Sequence, residues 1–217
     1  MADDPVNSSR KRDAARTKGA ILRSAVTEFA ANGPAGTRVD EVAIRAAVNK
    51  SLIYQYFGSK QELYAEVLTD VLNRATERLG VLAEGSVGIS EGATFQQNAE
   101  AFLGGHIRML EEMPEYARLM AWENLEGGKT LARPQVRRAF LALLERLQGM
   151  LKSMEQRGVN VTEMDPKLLM LSVMALDHHF VLYRTVSLDV LRTADSEQAT
   201  REAWIKFCAR MFAGLAK

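Results

Sequence analysis

The sequence has little of what secreted and membrane proteins require. Its single cysteine, Cys208, excludes an intramolecular disulfide and indicates a reducing compartment. The first residues contain no apolar segment of the signal-peptide kind, and no apolar run reaches the roughly 20 residues of a membrane-spanning helix. The longest candidate, residues 168–176, is too short and is followed by Asp177, His178 and His179. These features predict a cytoplasmic protein.

Strand signals are also missing. Apolar and polar residues do not alternate with a period of two, whereas helical periodicity runs through the whole chain. Pro114, Pro134 and Pro166 each stand where a helix would begin, the one helical position that tolerates proline. We therefore predict an all-α protein. Its later helices are expected near residues 94–112, 115–126, 134–157, 166–186 and 196–216.

Short helices separated by cap residues occupy the first 60 residues. After an expected disordered basic arm, residues 1–14, a first helix is predicted to end at a left-handed Gly33 followed by Pro34. The expected N-caps of the next three helices are Thr37, Asn49 and Ser59.

Charge is distributed unevenly along the chain. Residues 1–60 contain ten Lys and Arg against six Asp and Glu, a net charge of +4, and the remainder carries −3. A basic N-terminal segment suits contact with a polyanion, although an asymmetry of this size also arises by chance. The residues expected to supply non-specific attraction are Arg10, Lys11, Arg12, Arg16 and Lys18.

One face of the third predicted helix is polar throughout. In NKSLIYQYFGSK, residues 49–60, this polar stripe consists of Lys50, Ser51, Tyr54 and Gln55. Ile53 and Phe57 fall on the opposite side and are expected in the core. The stripe contains no carboxylate, so it suits a negatively charged or polar partner. A solvated surface is the simpler alternative.

Two short helices joined by a tight turn, with a polar outer face on the second, form the helix-turn-helix pattern. In that geometry the second helix enters the DNA major groove, where Lys50 can reach guanine or a phosphate. Arg38 and Lys60 are candidates for phosphate contacts. The full set of candidate DNA contacts is Arg38, Asn49, Lys50, Ser51, Leu52, Tyr54, Gln55, Tyr56 and Lys60.

The stretch from Ile21 to Leu68 resembles the DNA-binding domain of the TetR (tetracycline-repressor) family of one-component bacterial regulators. The alanine-rich helix, the Tyr-x-Tyr-Phe motif ending at Phe57 and the Ser-Lys pair ending at Lys60 stand at the family's spacing. The chain departs from the family in two places: Ala47 stands where Gly is common, and Ser51-Leu52 where Gly-Thr is common. The operator sequence therefore cannot be borrowed from relatives.

The resemblance implies a DNA-binding domain at residues 15–60 and a helical domain at residues 61–217 with an effector pocket and a dimer interface. The pocket candidates are Phe102, His106, Met109, Met113, Met120, Trp122 and His178, with the ten methionines suiting an adaptable apolar cavity. The dimer-interface candidates are Met174, Val181, Trp204, Phe207, Met211 and Phe212. Either histidine can instead be an ordinary core or surface residue, and the last two long helices can simply form the monomer's core.

The resulting hypothesis is a dimeric transcriptional repressor that binds a palindromic DNA operator and is released by a small, apolar effector. The effector would act by moving the helix that begins after Ser59. No cofactor is expected, and the spacing of His178 and His179 does not suit a metal site. A DNA-binding regulator without a ligand remains an alternative. A helical-bundle enzyme or metalloprotein is a further one, although no arrangement of nucleophile, base and acid stands out.

Overall fold

The computed structural model describes residues 5–84, 93–156, 158, 161, 164–184, 186 and 196–214, and every regular element within these ranges is a helix. The all-α prediction is thus confirmed. The α-helices are α1 (Pro5–Gly36), α2 (Val39–Ala46), α3 (Lys50–Phe57), α4 (Lys60–Glu84), α5 (Phe95–Glu112), α6 (Pro114–Leu125), α7 (Pro134–Gln156), α8 (Pro166–Val173), α9 (His179–Leu182) and α10 (Glu197–Ala213). In the described part of the chain, no helix is long and apolar enough to cross a membrane.

The chain forms two compact units that are not contiguous in sequence. The first unit extends through Val71 and also includes Arg118–Arg137, and the second consists of Leu72–Ala117 together with the residues from Arg138 onward. These boundaries differ from the predicted ones at residues 60 and 61. Both α4 and α6 begin in one unit and end in the other, so the chain passes between the units within helices.

The core of the first unit is formed by α1 to α4. Apolar positions at helical spacing bury one face of each helix, and the rings of Phe29 and Tyr64 lie with their centroids 4.8 Å apart. The buried apolar residues are Ile21, Ala25, Val26 and Phe29 of α1, Val39, Val42 and Ala43 of α2, Ile53 and Phe57 of α3, and Leu63, Val67 and Leu68 of α4.

The start of α1 lies within residues 1–14, where a disordered arm was predicted. The helix begins at Pro5, the first-turn position that suits proline, and no glycine or proline interrupts it before Gly19. The carboxylate of Asp13 forms an ion pair at 3.2 Å with Arg16, which lies one turn further along the helix. Residues 1–4 and the side chains of Arg10 and Lys11 lie outside the described part of the chain.

Gly33 interrupts α1 with φ 70° and ψ 174°, a conformation open to glycine alone. The positive φ was predicted, but the ψ value is not that of the left-handed helix. The six-membered ring of Trp122, on α6, covers this backbone, and a Cβ on Gly33 would lie 2.7 Å from it. The Trp122 indole also donates a hydrogen bond to the carbonyl of Ala30 at 3.3 Å. Two constraints therefore require glycine at position 33: the backbone conformation of the turn and the close approach of Trp122 on α6.

Thr37 does not cap α2 as predicted. Its hydroxyl points inward and donates to the carbonyls of Glu28, at 3.1 Å, and Gly33, at 2.7 Å. Arg38 takes the cap position, without a side-chain hydrogen bond. The carbonyls at the end of α1 lack partners within the helix. The buried Thr37 hydroxyl donates to them and does not accept from the first amides of α2.

In the second unit, α10 packs along α5. One apolar cluster contains Leu103, Val173, Cys208, Ala209 and Phe212, and a second contains Leu147, Leu151, Met154 and Val161. Phe95, Phe102 and Leu169 pack against both clusters and connect them. Thr94 and Gln97 form a reciprocal capping box that fixes the start of α5.

The helix predicted at residues 166–186 contains a π-helical turn. After α8, the five residues Met174–His178 form a π-helical turn that leads into the short α9. Adjacent side chains of an α-helix diverge by about 100°, yet Asp177 and His178 are both buried here. Single π-helical turns inside helices occur frequently at functional sites, and this one carries the two polar residues of the segment into the core.

We expect Gly33→Ala to lower the free energy of unfolding by about 3 kcal/mol, because it adds backbone strain and a clash with the Trp122 ring. Gly58→Ala is the matched control. Gly58 also has a positive φ, of 79°, but a Cβ there would meet no atom within 4 Å, so we expect a smaller loss, from backbone strain alone. Urea denaturation of both variants measures the difference. Equal losses would mean that the Trp122 contact is unimportant.

Candidate functional site

The outer face of α3 presents the predicted polar stripe to solvent. Its side chains Lys50, Ser51, Tyr54 and Gln55 are all exposed, while Ile53 and Phe57 are buried on the opposite side. Contacts of α2 with α1 and with α3 hold this face in place. The stripe is therefore rigidly supported and open to a partner.

Cap chemistry orients the first turn of α3. The side chain of Asn49 accepts a hydrogen bond from the amide of Leu52 at 3.2 Å and another from the Ser51 hydroxyl, as its predicted role of N-cap requires. Leu52 is half-buried. The preceding turn places Ala47 at φ 53° and ψ 42°, a left-handed conformation that favours glycine.

Lys50 is held by a carboxylate on the neighbouring helix. Its ammonium nitrogen lies 3.0 Å from both carboxylate oxygens of Asp40 on α2. Both side chains are about half exposed, so the pair is worth little in stability and is easily exchanged for another partner. The stripe therefore carries a cation whose charge is neutralised locally.

The other candidate DNA contacts occupy different environments. Arg38 is exposed at the start of α2. Tyr56 is half-buried with its ring edge on Phe57, at 6.4 Å between centroids. Lys60, at the start of α4 and close to α3, donates a hydrogen bond to the backbone carbonyl of Ala35 at 3.1 Å. This bond satisfies a carbonyl at the C-terminal end of α1.

A buried carboxylate ties Arg118–Arg137 into the first unit. Glu123 is fully buried, and one of its oxygens accepts hydrogen bonds from the amides of Thr130 and Leu131, both at 3.1 Å. The Tyr64 hydroxyl is near this carboxylate, and burial together with the charge of Glu123 raises the pKa of Tyr64. Glu123 was not predicted as a functional residue. The signal available was a carboxylate within the mostly apolar stretch of α6.

The second unit contains a buried polar cluster, formed by His106, Asp177, His178 and Trp204. His106 Nδ1 lies 2.8 Å from one carboxylate oxygen of Asp177, and both side chains are almost fully buried. Three polar atoms of the cluster are buried without a hydrogen-bond partner among the described residues: Asp177 Oδ1, His178 Nε2 and Trp204 Nε1. Asp177 and Trp204 were not predicted as site residues, although Asp177 is the only charged residue in the apolar stretch 168–177.

Aromatic rings surround the cluster. His106 stacks between the rings of Phe102 and His178, at 6.2 and 5.8 Å between centroids, and Tyr116 meets His178 edge-on at 5.3 Å. Trp204 stacks on Phe180 at 5.3 Å. The polar atoms are thus enclosed by apolar surface, where an unmade hydrogen bond is costly.

Burial shifts the titration of the cluster. It raises the pKa of Asp177, an effect that the hydrogen bond and charge of His106 offset in part. Burial, and secondarily His106, lower the pKa of His178 to about 3, so that this side chain is uncharged at neutral pH. Burial and the charge of Asp177 raise the pKa of the Cys208 thiol to about 12, so this cysteine is not a ready nucleophile. No group of three or more His, Cys, Asp or Glu in the described ranges is placed to hold a metal ion.

Two domain profiles match the chain. Residues 21–67 match the bacterial regulatory proteins of the tetR family, and residues 97–211 match the tetracyclin repressor-like C-terminal domain. The chain belongs to the TetR family. Among its relatives is the HTH-type transcriptional repressor SCO4008 of Streptomyces coelicolor, 34% identical over 117 residues. That match covers 54% of this chain and 54% of the repressor, so only about half of the relative's length is spanned.

Solved structures share the fold of this TetR-family chain. The putative transcriptional regulator SCO4942 from Streptomyces coelicolor superimposes with a TM-score of 0.66 at 22% identity, covering 90% of this chain and 97% of that one. The regulator FadR from Bacillus subtilis, solved in complex with stearoyl-CoA, gives a TM-score of 0.58 at 18% identity, covering 90% and 95%.

The predicted effector-pocket residues of this TetR-family chain fall into two groups. Phe102, His106, Met109, Met113 and His178 belong to the second unit, and all but Phe102 are buried. The other two belong to the first unit, where Met120 is buried and Trp122 packs against Gly33. The spacing of α6 residues could not tell which unit the end of that helix joins, and the pocket assignment of Met120 and Trp122 stays a prediction.

The dimer-interface candidates also divide. Phe207 and Met211 of α10 are exposed, by 58% and 48%, whereas Phe212 is buried in the apolar cluster with Cys208. The prediction for Phe212 is therefore corrected to a role in the monomer's core. Met174, Val181 and Trp204 are half-buried. The remaining large exposed apolar side chains of this region are Leu168, Leu171, Leu182, Tyr183 and Val186.

We expect acid to destabilise the protein through His178. The ordinary pKa of 6.5 returns on unfolding, so between pH 6.5 and about 3 the unfolded chain binds a proton that the folded chain does not. Lowering the pH from 7 to 5 should therefore cost about 2 kcal/mol of unfolding free energy from this residue.

Urea denaturation at the two pH values tests this expectation. His178→Asn should reduce the loss, because Asn does not titrate in this range. The matched control is His179→Asn, which changes the exposed neighbour and should leave the loss intact. A pH dependence that His178→Asn leaves unaltered would contradict the assignment.

Proposed function

We propose that this TetR-family protein is a transcriptional repressor of the bacterial cytoplasm that binds a palindromic DNA operator as a dimer and is released by a small-molecule effector. The observation that carries the proposal is the polar stripe of α3, exposed on a capped helix within the stretch that matches the family's regulatory proteins. The relative SCO4008 is named a transcriptional repressor, which favours repression over activation.

DNA reading is assigned to α3. Inserted into the major groove, the N-terminal turn of α3 would bring Lys50 and Ser51 to base edges, with Tyr54 and Gln55 one turn further along. Asp40 would give up Lys50 to guanine or to a phosphate. Because an exposed ion pair is worth at most about 1 kcal/mol, a correctly placed base contact can replace it. Arg38, Tyr56 and Lys60 would contact the flanking phosphates.

Dimerisation is assigned to the exposed apolar side chains of the second unit. Phe207 and Met211 of α10 and Leu168 and Leu171 of α8 are large and exposed, by 48 to 64%, which is uncommon for so many apolar residues of one region in a monomer. A two-fold axis through such a surface would pair α8 and α10 with their copies. The two α3 helices must then lie about 34–36 Å apart to enter successive major grooves.

Release is assigned to the second unit, which would bind the effector. The fold accommodates a ligand in the Bacillus subtilis regulator solved with stearoyl-CoA. In this chain α4 extends from the first unit into the second, so a shift of α4 would change the spacing of the two α3 helices. A hundredfold difference in operator affinity, about 2.7 kcal/mol, is a normal coupling energy for such a switch.

We expect specific binding to the DNA upstream of the protein's own gene, measured by fluorescence anisotropy against scrambled DNA of equal length. Lys50→Ala and Tyr54→Ala should each weaken specific binding by about tenfold or more. Lys50→Ala should also reduce the salt dependence by about one counterion. Asp40→Asn should strengthen binding to both DNAs, because it frees the Lys50 charge.

The matched control for the loss of a lysine is Lys152→Ala, which removes an exposed lysine from the second unit. Equal, salt-sensitive binding to both DNAs would contradict operator recognition. So would a Lys50→Ala variant that binds the operator as tightly as the Lys152→Ala variant.

We expect Phe207→Asp to convert the dimer into a monomer and to abolish operator binding, because a buried carboxylate at a two-fold interface faces its own copy. Sedimentation velocity and anisotropy measure the two effects. Leu125→Asp is the control, since Leu125 is 77% exposed and lies in the first unit. A monomeric Phe207→Asp protein that binds the operator with wild-type affinity would contradict the dimer hypothesis.

A further inference from the structure

We propose that Asp177, His178 and Trp204 form the recognition site for the hydroxyl group of an uncharged, otherwise apolar compound. That such a compound acts as the effector rests on the proposed function. The existence and selectivity of the site do not.

The cluster has polar atoms that the protein itself leaves without partners. Asp177 Oδ1, His178 Nε2 and Trp204 Nε1 are buried, and none has a hydrogen-bond partner among the described residues. Most buried polar groups in proteins are paired, and each unpaired one costs about 1–3 kcal/mol. Three such atoms within one cluster indicate that a molecule from outside the chain completes it.

A hydroxyl group matches the chemistry of these atoms. It donates one hydrogen bond and accepts others, so it can donate to Asp177 Oδ1 while accepting from the indole N–H of Trp204. A hydrogen bond from the Trp204 indole contributes to lowering the pKa of Asp177, so this N–H faces the carboxylate, although the two groups lie outside ordinary hydrogen-bond geometry. A group placed between them would satisfy both, and His178 Nε2 offers a further contact.

The charges of the cluster exclude an acidic ligand. His106 is already engaged by Asp177, and His178 is uncharged at neutral pH. Arg201, the cation one turn before Trp204 on α10, is paired with Glu111 at 2.8 Å and with Glu197 at 3.6 Å. A ligand carboxylate would therefore be buried beside Asp177, and neither these histidines nor Arg201 would be available to neutralise it.

The surroundings of the cluster suit an apolar body. Phe102 stacks on His106 and packs against both apolar clusters of the second unit. The second of these clusters is rich in methionine, whose flexible side chains adapt to irregular shapes. The methionines packed there are Met150, Met154, Met164 and Met170. The ligand class is thus a hydrophobic phenol or alcohol with its hydroxyl at Asp177.

Three probes of similar shape test this selectivity by isothermal titration calorimetry: para-butylphenol, butylbenzene and para-butylbenzoate. We expect the phenol to bind about tenfold or more tightly than either of the others, because butylbenzene lacks the hydrogen bonds and the benzoate carries a charge. Asp177→Asn and Trp204→Phe should each weaken phenol binding by about tenfold, with little effect on butylbenzene.

Trp122→Phe is the matched control for Trp204→Phe. It removes the other indole N–H of the chain, which bonds Ala30 in the first unit, and should leave phenol binding unchanged. Absence of binding by all three probes would overturn the site and leave buried water as the partner of the cluster. Equal binding of the phenol by the wild type and Trp204→Phe would overturn it too, even if Asp177→Asn failed to fold.

Operator binding, measured separately by anisotropy, distinguishes the two hypotheses. Specific DNA binding without phenol selectivity would retain the repressor and reject the hydroxyl site. Selective phenol binding that leaves the operator complex intact would retain the site and reject its part in release.

Discussion

The buried carboxylate of Glu123 is the constraint on which the first unit depends. Burying a carboxylate is costly unless it is hydrogen-bonded, and here the amides of Thr130 and Leu131 bond one oxygen of Glu123, while the other has no partner among the described residues. These bonds fold the chain after α6 back over the helix. They hold in place the neighbouring Trp122, whose ring covers Gly33. The helices that read DNA are therefore completed by Arg118–Arg137, a segment that begins about sixty residues after α3 ends.

The electrostatics of the first unit favour discrimination over affinity. Several cations that would attract any polyanion are paired inside the unit: Lys50 with Asp40, Arg45 with Glu28, and Lys18 with Glu66. Such pairs add little stability. They do reduce the positive charge that is available for contacts with any phosphate. Binding to a DNA sequence that places a guanine at Lys50 is therefore favoured over binding to DNA that contacts Lys50 only through its phosphates.

Local signals in the sequence predicted the helices well, because caps and prolines act over a few residues. Asn49 caps α3 and Ser59 caps α4 as expected, and Pro114, Pro134 and Pro166 begin helices. The errors arise where tertiary contacts decide. Thr37 turns inward to carbonyls of α1, and Phe212 turns into the core while Phe207, on the same helix, stays exposed. Periodicity identifies an apolar face but does not say which neighbour covers it.

The π-helical turn at Met174–His178 interrupts an otherwise regular and mostly apolar helix. Stability alone does not require such a turn. This segment buries both Asp177 and His178 and leaves three polar atoms of their cluster without partners among the described residues, at about 1–3 kcal/mol each. Such destabilising groups persist mainly at functional sites, where a bound ligand can supply the missing hydrogen bonds. A ligand that completes the cluster would stabilise the conformation to which it binds, and only a conformation-dependent cluster of this kind can shift an equilibrium between two states of a regulator.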